Sequence, residues 1–212
     1  MTEIGVGATN PLDPSGRRSG SVGLPPGSVE ARIVDEAGND LERGPGELWI
    51  RGPSVFKGYL GREQATQDAF AEGRWFRTGD VAERTEDGYL RLLGRTSVDI
   101  LKSGGYKLSA LEIEEALREN AAVAEVAVVG LPDEAWGERV VAVVVAAPGR
   151  AAECAPEVLR GWAKERIAPY KVPREVIVAT SLPRNALGKV VKPELVKAIL
   201  EGTVANMSRT ES

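Results

Sequence analysis

The residue type and the sequence context of Asp80 suit it to a chemical role. It follows Trp-Phe-Arg-Thr-Gly at 75–79 and comes directly before a strand-like run. An ionised carboxylate offers two acceptor oxygens at a separation that suits the vicinal hydroxyls of a ribose. Asp80 is therefore a candidate for ribose binding, and the alternative is an ordinary Gly-Asp turn.

Two adjacent glycines, Gly104 and Gly105, lie in the segment 94–107, where charged and apolar residues alternate just before a predicted helix. Backbone without side chains can approach a ligand closely, and a helix N-terminus favours anions. The segment is predicted to be a flexible junction that contacts a ligand. The alternative is a linker with solvated charges.

Lys189 follows a glycine in the loop 182–189, near the end of the globular part of the chain. A lysine on a mobile loop is a point charge that can be delivered to a phosphate or carboxylate in a transition state. Taken singly, such a lysine is more often simply exposed to solvent.

Short strands and turns are predicted to position Asp80. Asp87-Gly88 lies between two β-rich runs, and this dipeptide is a strong local hairpin signal. Residues 21–94 are therefore predicted to form a small antiparallel, β-barrel-like sheet, with a helix at 62–70. The predicted strands are 29–34, 46–50, 77–84 and 89–93.

A capping box opens the second half of the chain. The hydroxyl of Ser109 and the carboxylate of Glu112 have the spacing that caps a helix N-terminus. Valine-rich runs then alternate with amphipathic segments, which predicts a compact α+β domain. The predicted elements are a helix from 109, strands at 123–129 and 140–145, a helix at 156–167, a strand at 175–179 and a helix at 193–200.

Composition excludes several classes of chemistry. The chain has no histidine, which rules out imidazole bases, and its one cysteine, Cys154, is a poor nucleophile without one. Lysine and arginine number 27 against 31 acidic residues, a balance that argues against nucleic-acid binding. The apolar run 140–147 is too short to cross a membrane. A cytoplasmic protein without membrane insertion is predicted.

Taken together and in this order, the segments resemble the adenylate-forming superfamily of acyl-CoA synthetases, firefly luciferase and peptide-synthetase adenylation domains. The resemblance covers Met1 to about Leu200. Its motifs, in chain order, are Met1-Thr2-Glu3, which ends the family's Tyr-Gly-x-Thr-Glu motif; Gly46-Glu47-Leu48 with Gly52-Pro53 and Gly58-Tyr59; Trp75 to Asp80; Gly94-Arg95 with the junction; Gly130 to Asp133 with Gly137-Glu138; Tyr170 to Pro173; and Pro183-Arg184-Asn185 through Gly188-Lys189.

The resemblance implies a first reaction step in which a carboxylate attacks the α-phosphate of ATP to give an acyl-adenylate and pyrophosphate. It assigns Thr2 to phosphate contact and Glu3 to Mg²⁺. Asp80 would take the ribose hydroxyls with Arg95 beside them, and Lys189 would bridge ATP and the carboxylate. Such a displacement needs mainly positive charge and alignment, so a chain without histidine can serve it.

In the second implied step, the thiol of coenzyme A displaces AMP. The resemblance makes Val98 or Asp99 the hinge on which a C-terminal domain rotates, which exchanges Lys189 for Gly104-Gly105-Tyr106 along the pantetheine path. One extra residue between Arg95 and Lys102 leaves both hinge candidates open.

The resemblance also implies a domain division. Residues 1–97 would be the C-terminal part of the large N-terminal domain, 98–203 the mobile C-terminal α+β domain, and 204–212 a disordered tail. The family's phosphate loop precedes the Thr-Glu motif and has no match here, so a C-terminal portion, inactive alone, is expected. Its partner would be the missing N-terminal domain, and residues 1–18 should be poorly anchored without it.

Within the superfamily, the chain looks most like malonyl- and methylmalonyl-CoA synthetases. The residues that favour this are Thr96 to Asp99 running into Ser103 to Lys107, together with 10–12 and 20–25. Medium-chain, fatty or aryl acyl-CoA ligases are the alternative. Two further hypotheses are a peptide-synthetase piece that hands its acyl group to a carrier protein and a noncatalytic interaction fragment.

Overall fold

The structure is a computed structural model that describes residues 1–204. It has two compact units, Met1–Ser97 and a second unit that begins at Val98. The strands are β1 (Glu30–Val34), β2 (Gly46–Arg51), β3 (Phe70–Ala71), β4 (Trp75–Arg84), β5 (Leu90–Arg95), β6 (Ile100–Ser103), β7 (Tyr106–Ser109), β8 (Val123–Asp133), β9 (Gly137–Ala146) and β10 (Glu175–Ala179). The helices are α1 (Glu63–Asp68), α2 (Ala110–Arg118), α3 (Pro156–Lys164) and α4 (Lys192–Leu200).

Strand β4 is the centre of the antiparallel sheet in the first unit. One of its edges pairs with β2, which pairs in turn with β1. Its other edge is shared by β3, beside Trp75 and Phe76, and by β5, beside 80–84. Ile50, Phe76 and Leu90 bury their side chains in the core of this unit. The antiparallel sheet predicted for this half is confirmed.

The amino-terminal segment is anchored to the first unit, so the expectation of poor anchoring is wrong. Ile4 is buried in the core, and Thr9 pairs with Leu24 in an antiparallel bridge. The Tyr89 hydroxyl donates to the carbonyl of Gly16 at 2.5 Å. Partners for this segment, such as Leu24 for the backbone of Thr9, therefore lie within the same unit.

The second unit has three layers because its central strands are buried on both faces. Strand β9 pairs in parallel with β10 and antiparallel with β8. Continuous valine runs are typical of strands covered on both sides. One face, with Val128, Ala142 and Val144, packs on Ile113 and Leu117 of α2 and Leu159 of α3. The other face, with Val129, Val141 and Val143, packs on Leu195 and Ala198 of α4.

The helix starts predicted in this unit are confirmed in place. The Ser109 hydroxyl accepts a hydrogen bond from the Glu112 N–H at 3.1 Å, as a cap should. The Glu112 carboxylate does not complete the capping box and instead lies 2.7 Å from Lys171 Nζ. Pro156 occupies the first turn of α3, where its missing N–H costs nothing.

Two expectations about the second unit are corrected. The junction expected to be flexible is a β-hairpin, in which β6 and β7 pair from Ile100–Ser109 to Ser103–Tyr106. Val204, predicted to begin a disordered tail, is buried against the α4 face. The rest of that tail, 205–212, lies outside the described residues. Within the part of the chain that the structure describes, no helix is long and apolar enough to cross a membrane.

Candidate active site

Asp80 lies in a bulge of β4. The β2–β4 register shifts at this point, so that Leu48 alone faces the bulged residues. The Thr78 hydroxyl donates to the Leu48 carbonyl at 2.6 Å and accepts from the Asp80 N–H at 3.1 Å. Gly79 between them has a φ of +71°, which a residue with a side chain seldom adopts. The bulge therefore sets the direction of the Asp80 side chain.

Arg95 lies directly opposite Asp80 on β5. Its Nε is 3.1 Å from Asp80 Oδ1, and the two side chains are 55% and 21% exposed. The carboxylate and the guanidinium are thus held side by side, and both are accessible from solvent. This pair can offer acceptors to hydroxyl groups and a positive charge to a phosphate at one place.

Glu3 and Thr2 lie in a turn at the start of the first unit, not in a strand. The Tyr59 hydroxyl donates to Glu3 Oε1 at 3.3 Å, and the Phe56 N–H donates to the Glu3 carbonyl at 2.7 Å. Burial raises the pKa of Tyr59, the Glu3 carboxylate raises it further, and Arg95 opposes the shift. Glu3 and Arg95 therefore both lie within electrostatic reach of the Tyr59 hydroxyl.

The surroundings of Glu3 fit a metal ion that arrives with phosphates. Magnesium in nucleotide sites usually takes one or two carboxylates, phosphate oxygens and several waters. Within residues 1–204, no three histidine, cysteine, aspartate or glutamate side chains are grouped so that they could hold a metal. Glu3 supplies one carboxylate of the kind that such a site uses.

Gly104 and Gly105 form the tip of the β6–β7 hairpin. Their φ values of +58° and +82° belong to the two-residue turn that closes such hairpins. The Gly104 N–H donates to the Trp136 carbonyl at 2.9 Å, and a Cβ on Gly104 would lie only 2.8 Å from Trp136 Cε3. The backbone is therefore packed against the indole, which explains the need for glycine at 104.

A groove of about 370 Å³ lies beside this hairpin. Tyr106 stacks on Tyr170 with ring centroids 4.5 Å apart, and the Arg174 guanidinium lies 3.5 Å from the Trp136 ring centroid. Two further cations, Arg160 and Lys164, line the same groove. Aromatic faces beside three positive charges suit a ligand that carries a planar ring and phosphates.

Lys189 lies on a tight turn, which corrects the expectation of a mobile loop. The Asn185 side-chain oxygen accepts from the N–H groups of Leu187 and Lys189, each at 3.0 Å. The Asn185 N–H donates to the Lys189 carbonyl at 2.9 Å. Arg184 donates to the Gly188 carbonyl and pairs with Glu125 at 2.6 Å. The turn presents an exposed Lys189 on an ordered support.

The two candidate hinge residues differ in their surroundings. Val98 is half-buried in the turn that joins β5 to β6. Asp99 is buried, its carbonyl accepts from the Ala110 N–H at 2.7 Å, and its carboxylate lies 2.5 Å from Lys192 Nζ. Asp99 is therefore fixed to the second unit.

The chain matches two models of one family. The model for the AMP-binding enzyme matches residues 1–60, and the model for its C-terminal domain matches residues 112–189. The chain belongs to the AMP-binding enzyme family. Its similar relatives include the malonate–CoA ligase of Arabidopsis thaliana, 46% identical over 94% of this chain and 34% of the relative. The mitochondrial malonate–CoA ligase ACSF3 of Mus musculus is 43% identical over 94% of this chain and 37% of the relative.

Solved structures of AMP-binding enzymes share the fold. ATP-bound MatB from Rhodopseudomonas palustris has a TM-score of 0.84 and 35% identity, over 96% of this chain and 40% of MatB. The o-succinylbenzoate–CoA synthetase of Bacillus subtilis in complex with AMP has a TM-score of 0.80 and 35% identity, over 92% of this chain and 39% of that enzyme. The α+β fold class is confirmed. The chain spans about a third of the length of the curated relatives it matches.

The structure adds functional candidates that sequence reasoning did not single out as functional. Tyr59 belongs to one of the sequence motifs, but Glu3, which it contacts, is distant in the sequence. Trp136 lies in the β8–β9 turn, Arg160 and Lys164 lie on α3, and Arg174 directly precedes β10. These three segments meet beside the hairpin only in the folded unit.

Proposed function

We propose that this chain supplies the C-terminal part of an AMP-forming acid–CoA ligase, with malonate or methylmalonate as the acid. The observation that carries the proposal is its similarity to malonate–CoA ligases. Five malonate–CoA ligases, from Arabidopsis thaliana, Mus musculus, Bos taurus, Xenopus laevis and Homo sapiens, are 41–46% identical to this chain.

In the proposed adenylation step, Asp80 holds the ribose hydroxyls of ATP, and Arg95 keeps that carboxylate in place. Lys189 stabilises the negative charge that grows as a carboxylate oxygen bonds to the α-phosphorus and the bond to pyrophosphate breaks. Thr2 contacts phosphate, and Glu3 would hold Mg²⁺, which would offset phosphate charge. ATP-bound MatB and the AMP-bound relative support nucleotide binding.

In the proposed thioester step, Gly104, Gly105 and Tyr106 line the path of the pantetheine arm. The groove beside them receives the phosphorylated adenosine end of coenzyme A, whose phosphates would meet the positive charges of Arg160, Lys164 and Arg174. The thiol sulphur bonds to the acyl carbon as the thiol proton is lost to solvent, and AMP leaves with the electrons of the broken carbon–oxygen bond.

We further propose that Val98 is the pivot between the two steps. Asp99 is bound to the second unit through both its backbone and its side chain, so it moves with that unit. Val98 is then the last residue whose dihedral angles can change without breaking those contacts. Residues 1–97 and 98–203 accordingly act as the fixed and the mobile parts.

The acid is the part of the proposal that most needs its own test. A long-chain-fatty-acid–CoA ligase of Yersinia pestis is 42% identical over 84% of this chain, close to the values for malonate ligases. The C-terminal part is therefore shared by ligases that act on different acids. The mouse relative is named mitochondrial, so a cytoplasmic location also stays a proposal.

The test uses the full-length ligase, meaning this chain together with the upstream part that its relatives carry. We expect AMP and the CoA thioester to form from ATP, coenzyme A and malonate or methylmalonate, and little thioester from palmitate or benzoate. If the ligase preferred palmitate, malonate and methylmalonate would be the wrong acids. If no AMP were released with any of these acids, the proposed function would be overturned. The chain alone should turn nothing over, because part of the charge stabilisation would be missing.

A further inference from the structure

Lys192, the first residue of α4, lies between two carboxylates that are distant in the sequence. Its Nζ is 2.5 Å from Asp99 Oδ1 and 2.8 Å from Glu114 Oε1. The side chains of Lys192 and Asp99 are 12% exposed, and that of Glu114 is 7% exposed. Buried charges are costly unless opposite charge faces them, so the Lys192 ammonium group offsets part of the cost of burying both carboxylates.

The same three side chains join three parts of the second unit. Asp99 lies at the boundary, next to the proposed pivot. Glu114 lies on α2, and its Oε1 also accepts from the Val128 N–H of β8 at 2.8 Å. Lys192 begins α4. The cluster therefore holds the boundary, the α2–β8 layer and the start of α4 in one arrangement.

The chain between Lys192 and Lys189 has little freedom. The Val191 N–H donates to the Pro183 carbonyl at 2.9 Å, and Val190 pairs with Arg184 in an antiparallel bridge. The Lys189 turn is thus tied to the residue that enters the buried cluster. A shift of Lys192 would carry the turn with it.

We propose that Lys192 is a positioning residue for Lys189, an inference that rests on the proposed role of Lys189. Its ammonium group fixes the Lys189 turn relative to the boundary at Asp99, so a rotation about Val98 delivers the Lys189 charge to one defined place. Lys192 touches neither ATP nor the acid and acts only through Lys189.

The test is Lys192→Met in the full-length ligase. Adenylate formation should fall about 10- to 100-fold, because a displacement of roughly an ångström in a catalytic group has an effect of this size. Thioester formation from chemically supplied malonyl-adenylate should keep its rate. Lys197→Met is the matched control, since Lys197 lies on the same helix with its side chain 74% exposed, and both steps should be unchanged.

A double variant separates positioning from stability. If Lys192 acts through Lys189, adding Lys192→Met to Lys189→Ala should slow adenylation no further. Equal loss of both half-reactions in Lys192→Met, or a further loss in the double variant, would overturn the positioning role. If adenylation were normal in Lys192→Met but impaired in Lys189→Ala, the positioning role of Lys192 would be overturned and the proposed role of Lys189 would stand. Normal adenylation in Lys189→Ala would overturn the proposed function beneath it.

A second variant covers the case in which Lys192→Met does not fold. Asp99→Asn keeps Lys192 paired with Glu114, so one buried cation still faces one carboxylate. The same selective loss of adenylation is expected, because the contact between the boundary and α4 is weakened. Unchanged adenylation in a folded Asp99→Asn enzyme would overturn the proposal.

Discussion

Asp80 and Lys189, the charged residues proposed to act on the nucleotide, are held in different ways. Asp80 is fixed by the hydrogen-bond register of a sheet, within a bulge and opposite Arg95. Lys189 is exposed on a turn that Asn185 and Arg184 brace from within its own segment. Under the proposed mechanism, the nucleotide contact needed in both steps is built into a sheet, whereas the charge needed in one step lies on the second unit.

Replacement of Lys189 should have the largest effect. In the full-length ligase, Lys189→Ala should slow adenylate formation by about 10³-fold or more, because loss of one placed donor costs roughly 3 to 4 kcal/mol and a full cation adds to this. Rapid-quench measurement of acyl-adenylate checks it, with Lys197→Ala as the control. A loss of adenylation rate below about 10-fold would show that Lys189 does not take part in the adenylation step.

Replacement of Asp80 should come next. Asp80→Asn weakens two charge-assisted hydrogen bonds, each worth roughly 1.5 to 3 kcal/mol, so adenylation should fall about 10²-fold. Asp87→Asn tests the same substitution at the turn between β4 and β5, away from the pair with Arg95. Isothermal titration with ATP should show the weaker affinity in Asp80→Asn only. Equal affinities in both variants would show that Asp80 does not bind the ribose.

A bulky residue at Gly105 should affect the thioester step and not adenylation. Gly105→Leu should slow thioester formation by about 10-fold through obstruction of the pantetheine path, and should leave adenylation near normal. Leucine at positive φ also costs roughly 1 to 2 kcal/mol of stability. Gly149→Leu carries the same strain, since Gly149 has a φ of +76° and open space around it. If Gly149→Leu slowed the thioester step equally, strain would be the cause.

The smallest effect is expected at Tyr59. Its hydroxyl orients the Glu3 carboxylate through one hydrogen bond of 3.3 Å. Tyr59→Phe should raise the Mg²⁺ concentration for half-maximal adenylation by about 3-fold, since such a bond contributes roughly 0.5 to 1.5 kcal/mol. Tyr89→Phe is the control, because its hydroxyl bonds to Gly16 instead. An unchanged Mg²⁺ concentration for half-maximal adenylation would show that Tyr59 plays no part in the proposed Mg²⁺ binding.

Local patterns predicted most of the fold. Alternating residues located β1, β2, β4 and β5, and Asp87-Gly88 located the turn between the last two strands. The hydroxyl of Ser109 located the start of α2, and valine runs located β8 and β9. These features depend on neighbours in the sequence, which is why the chain itself reveals them.

The errors concern features whose cause lies elsewhere in the chain. Gly104 and Gly105 predicted flexibility, but Trp136 accepts a hydrogen bond from the hairpin tip and packs on it. The segment at the amino terminus was expected to be loose, but Tyr89 and Leu24 hold it. Lys192 gave no local signal at all, because Asp99 lies 93 residues away.

The most direct test measures thioester formation from supplied malonyl-adenylate in Lys189→Ala and Asp80→Asn, side by side with the parent ligase. The ribose is present in both steps, so Asp80→Asn should lose about 10²-fold here as well. Lys189→Ala should transfer the acyl group to coenzyme A at close to the parent rate. Equal losses in the two variants, with both folded, would contradict the division of labour between the sheet and the turn.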